Sequence, residues 1–191
     1  MRLAKPAMAP SIQLHDSNGK LIEITPGQRT LLAFFRDTNC PFCNFRVFQL
    51  TQRHKQLAAA GLEVIAFFSS SQEDVEHFVS IRPRPFAVVA DPENIAYKAY
   101  GIEHSMPRAA LGVLKRFRMW ILGFRILGWE GTIKNLKNPS DIMPADFLID
   151  EHGRIVETYY GADAGDHIPF ERIEEFVGIS TDKKAAQVGA V

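Results

Sequence analysis

Two cysteines three positions apart are the residues of this chain whose types and spacing carry the most chemistry. Cys40-Pro41-Phe42-Cys43 follows the apolar run Leu31-Leu32-Ala33-Phe34-Phe35 and opens a stretch of helical periodicity. A strand that stops just before a cysteine at a helix start leaves that thiol at the carboxyl edge of a sheet. There, unpaired backbone N–H groups and the helix dipole stabilise an anion. The sulfur of Cys40 is therefore expected as a thiolate, hence as a nucleophile. Cys43, one turn further in and more sheltered, is placed to resolve what Cys40 forms. Attack on a peroxide gives a sulfenic acid that Cys43 captures as a disulfide; attack on a disulfide gives a mixed disulfide that Cys43 releases.

Other readings of the pair are weaker. Two cysteines so close together cannot staple a small secreted fold. A zinc site needs about four ligands, and the chain has no second cysteine pair while its six histidines are scattered singly; no metal or cofactor is expected. Two buried structural thiols remain the plain alternative. Arg36 and Arg46, if they point inward, add to the stabilisation of a thiolate. Pro41 is tolerated in the first turn of a helix. Asp37 and Thr38 hydrogen-bond at the helix entrance or simply cap it, and the residue types fit both roles. Gly165-Asp166-His167, after Tyr160-Gly161, forms a polar loop whose simplest reading is a turn with helix capping.

The elements around the pair follow from periodicity and punctuation. Ser11–His15 and Leu21–Ile24 alternate apolar with polar around an Asn18-Gly19 turn, which predicts a β-hairpin. A helix is expected over 41–60, stopped by Gly61, then a buried strand over Leu62–Phe68. Ser71 caps a helix running to about Ile81, Phe86–Ala90 is a third strand, and Asn94–Tyr100 a short helix closed by Gly101. Asp146–Ile149 and Ile155–Tyr160 pair across a tight turn, and a helix over Pro169–Val177 ends the ordered chain; the tail from Ser180 is expected to fray. Strands alternating with helices require crossovers and a mostly parallel or mixed sheet covered on both faces, an α/β fold. A chain of 191 residues, 46% hydrophobic, fills one core and is short for two, so a single domain is expected.

Lys plus Arg equals Asp plus Glu at 22 each, so bulk charge argues for neither nucleic acid nor an acidic partner. Met1 to Pro10 has two cations but no continuous apolar segment, and the longest apolar candidate is broken by arginines. The expectation is a soluble, cytoplasmic protein.

The residues also resemble a family. Ala9 through Gly19, the Leu31 strand running into Cys40, Gly61-Leu62-Glu63-Val64-Ile65, Asp91 through Gly101, and Phe147-Leu148-Ile149-Asp150 with Gly153-Arg154-Ile155 are similar, in order, to peroxiredoxins of the alkyl hydroperoxide reductase and thiol-specific antioxidant (AhpC/TSA) group. The resemblance covers roughly residues 8 to 178 apart from one insertion. It implies a thioredoxin-like fold with Cys40 at the peroxidatic position. The chain departs from the standard signature, in which a proline and a threonine stand seven and three residues before the cysteine: Ala33 and Asp37 occupy those positions, with Thr38 one place nearer. Pro144 replaces the family's arginine. Threonine and arginine hold the peroxide in the family and stabilise the developing charge, so peroxide reduction should be slower unless Arg36, Thr38 or Arg84 substitutes. Cys-x-x-Cys and Met143-Pro144 before a strand instead resemble thioredoxin, in which a cis-proline faces the cysteines; an ordinary strand-starting proline is the alternative. The nearest resemblance is to the peroxiredoxin-like subgroup carrying a Cys-x-x-Cys pair.

The segment from about 103 to 141 has no place in the minimal fold. Arg108, Lys115, Arg118 and Arg125 fall within about a quarter-turn at helical spacing, and Leu114, Phe117, Trp120, Ile121, Phe124 and Leu127 lie toward the other side. An amphipathic cationic helix over 108–130 is expected, packed on its own domain or in a homodimer, or else laid on an anionic membrane surface or a partner. The leading expectation is a thiol-dependent antioxidant oxidoreductase that reduces hydroperoxides through Cys40, with Cys43 resolving and a thioredoxin- or glutathione-type reductant. A thioredoxin-like disulfide reductase and a non-catalytic module docking through the insertion are the alternatives.

Overall fold

The computed structural model describes residues 2, 3, 5–24 and 26–179; the expected frayed tail lies outside the described residues. In chain order the elements are β1 (Ala7–Met8), β2 (Leu14–His15), β3 (Leu21–Ile22), β4 (Arg29–Phe34), α1 (Pro41–Ala59), β5 (Leu62–Phe68), α2 (Gln72–Ile81), β6 (Ala87–Ala90), α3 (Ile95–Ala99), α4 (Met106–Lys115), α5 (Phe117–Leu127), α6 (Trp129–Lys137), β7 (Ala145–Ile149), β8 (Arg154–Tyr160) and α7 (Phe170–Phe176). Six strands form one mixed sheet in the order β1-β8-β7-β4-β5-β6, with β4, β5 and β6 parallel and β7 antiparallel to β4. The predicted hairpin forms as a separate two-stranded unit in which Leu14 pairs with Ile22.

The period-two alternation of β4 divides the core. Leu31, Ala33 and Phe35 join the cluster holding Val47 and Leu50 of α1, Val75 and Phe78 of α2, and Ile173 of α7. Leu32 and Phe34 face the other way, onto Tyr97 of α3, Tyr100 and Phe147. Phe34 stacks on Phe67 at 4.8 Å between ring centroids and meets Tyr97 edge-on at 5.1 Å. The buried Tyr97 hydroxyl donates to the carbonyl of Phe35 at 2.6 Å and lies 2.9 Å from that of Phe67. These bonds pin the carboxyl ends of β4 and β5, the edge from which the cysteine helix departs.

The insertion differs from the single helix expected over 108–130. It is three helices, α4, α5 and α6, broken at Arg116 and at Gly128. Gly128 takes φ +85°, a conformation that side chains disfavour. At Arg116 the break goes with long-range pairing: its guanidinium reaches Asp163 Oδ1 at 2.9 Å and Asp166 Oδ1 at 2.6 Å. Trp120, Ile121, Phe124 and Leu127 are half-buried, and Met119 and Trp120 pack on the α1-side cluster. Leu114 and Phe117, expected on the covered face, remain 80% and 55% exposed. Arg108 leaves the cationic stripe to bind Glu103 Oε2 at 2.7 Å and the carbonyl of Gly161 at 2.5 Å.

α5 crosses the start of α1 at Gly123, where an added Cβ would lie 1.9 Å from the carbonyl oxygen of Pro41. Only a residue without a side chain permits that approach. Gly123→Ala is expected to lower unfolding stability by roughly 1–3 kcal/mol through overpacking, measured by urea denaturation, and to raise the alkylation rate of the cysteines as α5 is displaced. Unchanged stability would mean that α5 does not bear on α1.

Candidate active site

α1 begins as its sequence requires, with Pro41 at its first position and Cys40 in extended conformation at its N-cap (φ −76°, ψ 121°). The cap is a sulfur: Cys40 Sγ accepts the backbone N–H of Cys43 at 3.4 Å. Cys43 Sγ accepts the backbone N–H of Arg36, at the end of the central strand, at 3.5 Å. Both thiols are free and wholly buried, so Cys43 is not the more sheltered of the two. Beside them lies Arg36, itself buried, with Nη1 3.8 Å from Cys40 Sγ and Nη2 donating to the carbonyl of Ser140.

Burial alone would raise both thiol pKa values. At Cys40 it is outweighed by hydrogen bonding from Cys43 and by the Arg36 charge, so its pKa falls below that of an ordinary thiol. At Cys43 burial and the adjoining Cys40 sulfur act together and push it well above. The pair is polarised, with one sulfur inclined to the thiolate and the other holding its proton. Arg36 keeps its charge despite burial because both sulfurs and Asp37 favour the cation.

The AhpC/TSA family model matches residues 7–158. The chain belongs to the AhpC/TSA family. A "Putative peroxiredoxin" of Mycobacterium tuberculosis is 21% identical over 172 residues, covering 87% of this chain and 91% of that one. Peroxidoxin BcpB from the same organism superposes with a TM-score of 0.62 at 12% identity, covering 91% of this chain and 95% of that one. A "putative Thiol:disulfide interchange protein DsbE" from Chlorobium tepidum gives 0.61 at 19% identity, covering 92% and 96%. The fold is thioredoxin-like, and family membership makes the chain an enzyme of thiol-dependent redox chemistry.

Among the residues expected to stand in for the family's missing threonine and arginine, Arg36 reaches the pair and the others are engaged elsewhere. The Thr38 amide donates to Ser70 Oγ at 3.0 Å, its hydroxyl lies 3.3 Å from the same oxygen, and its carbonyl accepts Asn44 Nδ2 at 2.7 Å. Arg84 lies over the ring of Phe78, 4.6 Å from its centroid. Arg46 donates to the carbonyl of Ile168 at 2.6 Å and lies over Phe170, so it does not supply the expected charge to Cys40. Asp37 Oδ1 accepts the N–H of Asn39 at 2.9 Å, the local turn that leads into the cap; burial raises its pKa against the pull of Arg36. The Met143–Pro144 peptide is not cis: among the described residues only Lys5–Pro6 is. Pro144 is the strand-starting proline of the alternative reading, its carbonyl accepting the Gly161 amide at 2.9 Å as β7 and β8 begin to pair.

Two features escaped the sequence reading. One is a buried ion-pair-like contact, His167 Nδ1 with Asp146 Oδ2 at 3.0 Å, inside the core that holds both cysteines. Its only signal in the sequence was a carboxylate within the apolar run Ala145-Asp146-Phe147-Leu148-Ile149, where a charge requires a partner. The other is closure. Asn135 Nδ2 reaches Asp37 Oδ2 at 3.3 Å, Lys134 pairs with Asp74 at 2.8 Å, Arg36 holds Ser140, and Arg116 holds Asp163 and Asp166. The insertion is thus fastened to both flanks of the cysteine pair. A cleft of about 250 Å³ opens between α2 and α6, lined by Thr38, Asn39, His77, Leu127 and Lys134, and ends one residue from Cys40. The larger cleft of about 530 Å³, lined by Asp16, His54, Arg84 and Phe86, includes neither cysteine.

Arg36→Met removes the cation while keeping the bulk. In a Cys43→Ser background the Cys40 pKa is expected to rise, so that less thiolate is present at pH 7 and alkylation slows roughly tenfold. A pH profile of alkylation measures this; an unmoved inflection would mean that Arg36 does not govern the thiolate.

Proposed function

We propose that the chain reduces hydroperoxides in the cytoplasm through Cys40, with Cys43 as the resolving thiol and a thioredoxin- or glutathione-type dithiol as reductant. The observation carrying this reading is the Arg36 guanidinium 3.8 Å from the sulfur at the α1 N-cap. The same charge that favours the thiolate lies where a peroxide oxygen approaching that sulfur gains negative character. The Cys40 thiolate attacks the terminal oxygen; the O–O bond breaks and the alkoxide leaves as alcohol after taking a proton. The resulting sulfenic acid meets the Cys43 thiol, and a disulfide forms with release of water. An external dithiol then restores both thiols and becomes a disulfide itself.

Because both sulfurs are buried, reaction requires the insertion to move aside, and the observed rate is the intrinsic rate multiplied by the open fraction. Cutting a fastening, as in Lys134→Ala with Asn135→Ala, is expected to increase peroxide-driven thiol loss several-fold.

Stopped-flow oxidation by hydrogen peroxide with thiol counting tests the main reading. Wild type should lose two thiols, Cys43→Ser should stop at a trappable sulfenic acid, and Cys40→Ser should lose peroxide-dependent activity. Thiol loss no faster than that of a free thiol would favour the second reading, disulfide exchange. The Cys-x-x-Cys spacing and the structural likeness to the Chlorobium tepidum protein support that alternative, and insulin reduction above the dithiol background would be its signature.

A further inference from the structure

The outer surface of the insertion carries a charge pattern that the chemistry at the cysteines does not use. From Met106 to Lys137 stand seven lysines and arginines against one acidic residue, Glu130. The segment is therefore +6 and the rest of the chain, since the whole is neutral, −6. Arg108, Arg116 and Lys134 make ion pairs. The side chains of Lys115, Arg118, Arg125 and Lys137 are exposed and have no ion-pair or hydrogen-bond partner among the described residues.

Large apolar side chains stand among these cations. Leu114, Phe117, Leu122, Trp129 and Leu136 are exposed, Trp129 to 69%. On α5 the side turned to α1 is marked by Gly123, which rests against the Pro41 carbonyl. Arg118, Leu122 and Arg125, spaced i, i+4 and i+7, share the side turned away from it. Along one edge of that side Phe117, Trp120, Phe124 and Trp129 form a continuous row, with successive ring centroids 6.3, 6.0 and 6.1 Å apart. The middle of the row packs on the domain, and its two ends, Phe117 and Trp129, protrude at the breaks that separate α5 from α4 and α6.

We propose that the outer face of the insertion docks on an anionic lipid surface, its exposed aromatic and leucine side chains entering the headgroup layer while the four unpaired cations meet lipid phosphates. Among the described residues no helix is long and apolar enough to cross a membrane, so the contact is shallow. Two other occupants fit less well. A second copy meeting this face by two-fold symmetry would set like charge against like. A protein interface keeps charge out of its centre, whereas Arg118 and Arg125 flank Leu122 on the exposed face itself. Arginine suits lipid there, because its stem lies along apolar surface while the guanidinium reaches out to a phosphate. Docking leaves only α5 between the lipid and the first turn of α1, which sets the Cys40 end of that helix roughly 10 Å, one helix thickness, from the headgroups. The docking surface is independent of the reaction at Cys40.

Cosedimentation of the full chain with phosphatidylcholine vesicles containing roughly one-third phosphatidylglycerol, and with vesicles of phosphatidylcholine alone, tests this. Wild type should bind the anionic vesicles, release from them as salt is raised, and bind the neutral ones at least tenfold more weakly. Arg118→Gln with Arg125→Gln removes two exposed, unpartnered charges and should weaken anionic binding by about tenfold or more, with an unchanged urea midpoint. Trp120→Phe leaves Trp129 as the single tryptophan, and its emission should shift to the blue on anionic vesicles. That shift decides the matter if the double variant proves unstable. No binding by wild type, equal binding to neutral vesicles, equal binding by the folded double variant, or unmoved Trp129 emission in the bound protein would each overturn the proposal. Self-association abolished by the double variant, without vesicle binding, would assign the face to a second copy instead. Retention on immobilised polyglutamate without vesicle binding would assign it to an acidic protein, and either result overturns the lipid surface.

Discussion

A guanidinium buried against a sulfur is the constraint on which this structure depends. Arg36 is only 6% exposed, and a charge taken out of water is destabilising unless opposite charge and acceptors surround it. Its surroundings are the Cys40 sulfur, the Ser140 carbonyl and the neighbouring Asp37. Each comes from a different part of the construction: the N-cap of α1, the segment leaving the insertion, and the loop leaving β4. Arginine holds these together only while the sulfur carries negative character, so fold and thiolate support one another. Its neighbour behaves oppositely because at Cys43, equally buried, burial and the adjoining Cys40 sulfur outweigh the pull of the same cation.

The insertion is best understood from that pair outward. Its three helices close over the start of α1, with Gly123 flush against the Pro41 carbonyl and polar fastenings on either side. A thiolate kept from water meets neither adventitious oxidants nor its own hydration shell, and electrostatic interactions within the closed site strengthen. On the function proposed above, reactivity and access would thereby be separated: the electrostatics of the pair would set the first, and a set of exposed or half-exposed ion pairs, individually worth little, the second.

Much of the frame was legible in the sequence. β5 and α2 have the bounds that apolar runs and a Ser71 cap implied, and the other main elements differ by a residue or two, because Gly61, Pro83-Arg84-Pro85 and Gly101 punctuate the chain with local physics. The capping expected of Asp37 or Thr38 falls to the Cys40 sulfur, but the place of Cys40 at the helix start was legible for the same reason. Long-range effects were not. Arg116 looks like one more helical cation until Asp163 and Asp166, some fifty residues on, arrive beside it and go with the break of the helix. Arg46 has the same type and proximity to the cysteines as Arg36 but points toward Ile168. Spacing cannot distinguish two arginines on opposite sides of a helix start when neither side has yet been given a neighbour. The Asp146–His167 contact joins residues 21 apart through the return of a loop, which no periodicity announces.

The cap of α1 has a further consequence. Helices are ordinarily capped by groups that chemistry leaves alone, such as a serine hydroxyl or an aspartate. Here the acceptor for the Cys43 amide is the Cys40 sulfur, so any reaction that consumes the thiolate also takes away the bond that finishes the helix. The released first turn carries the Pro41 carbonyl, and on that carbonyl rests Gly123 of α5. On the Cys40 chemistry proposed above, oxidation state would in this way be coupled to the cover above it, through a lever whose short arm is a single hydrogen bond and whose long arm is the three-helix insertion.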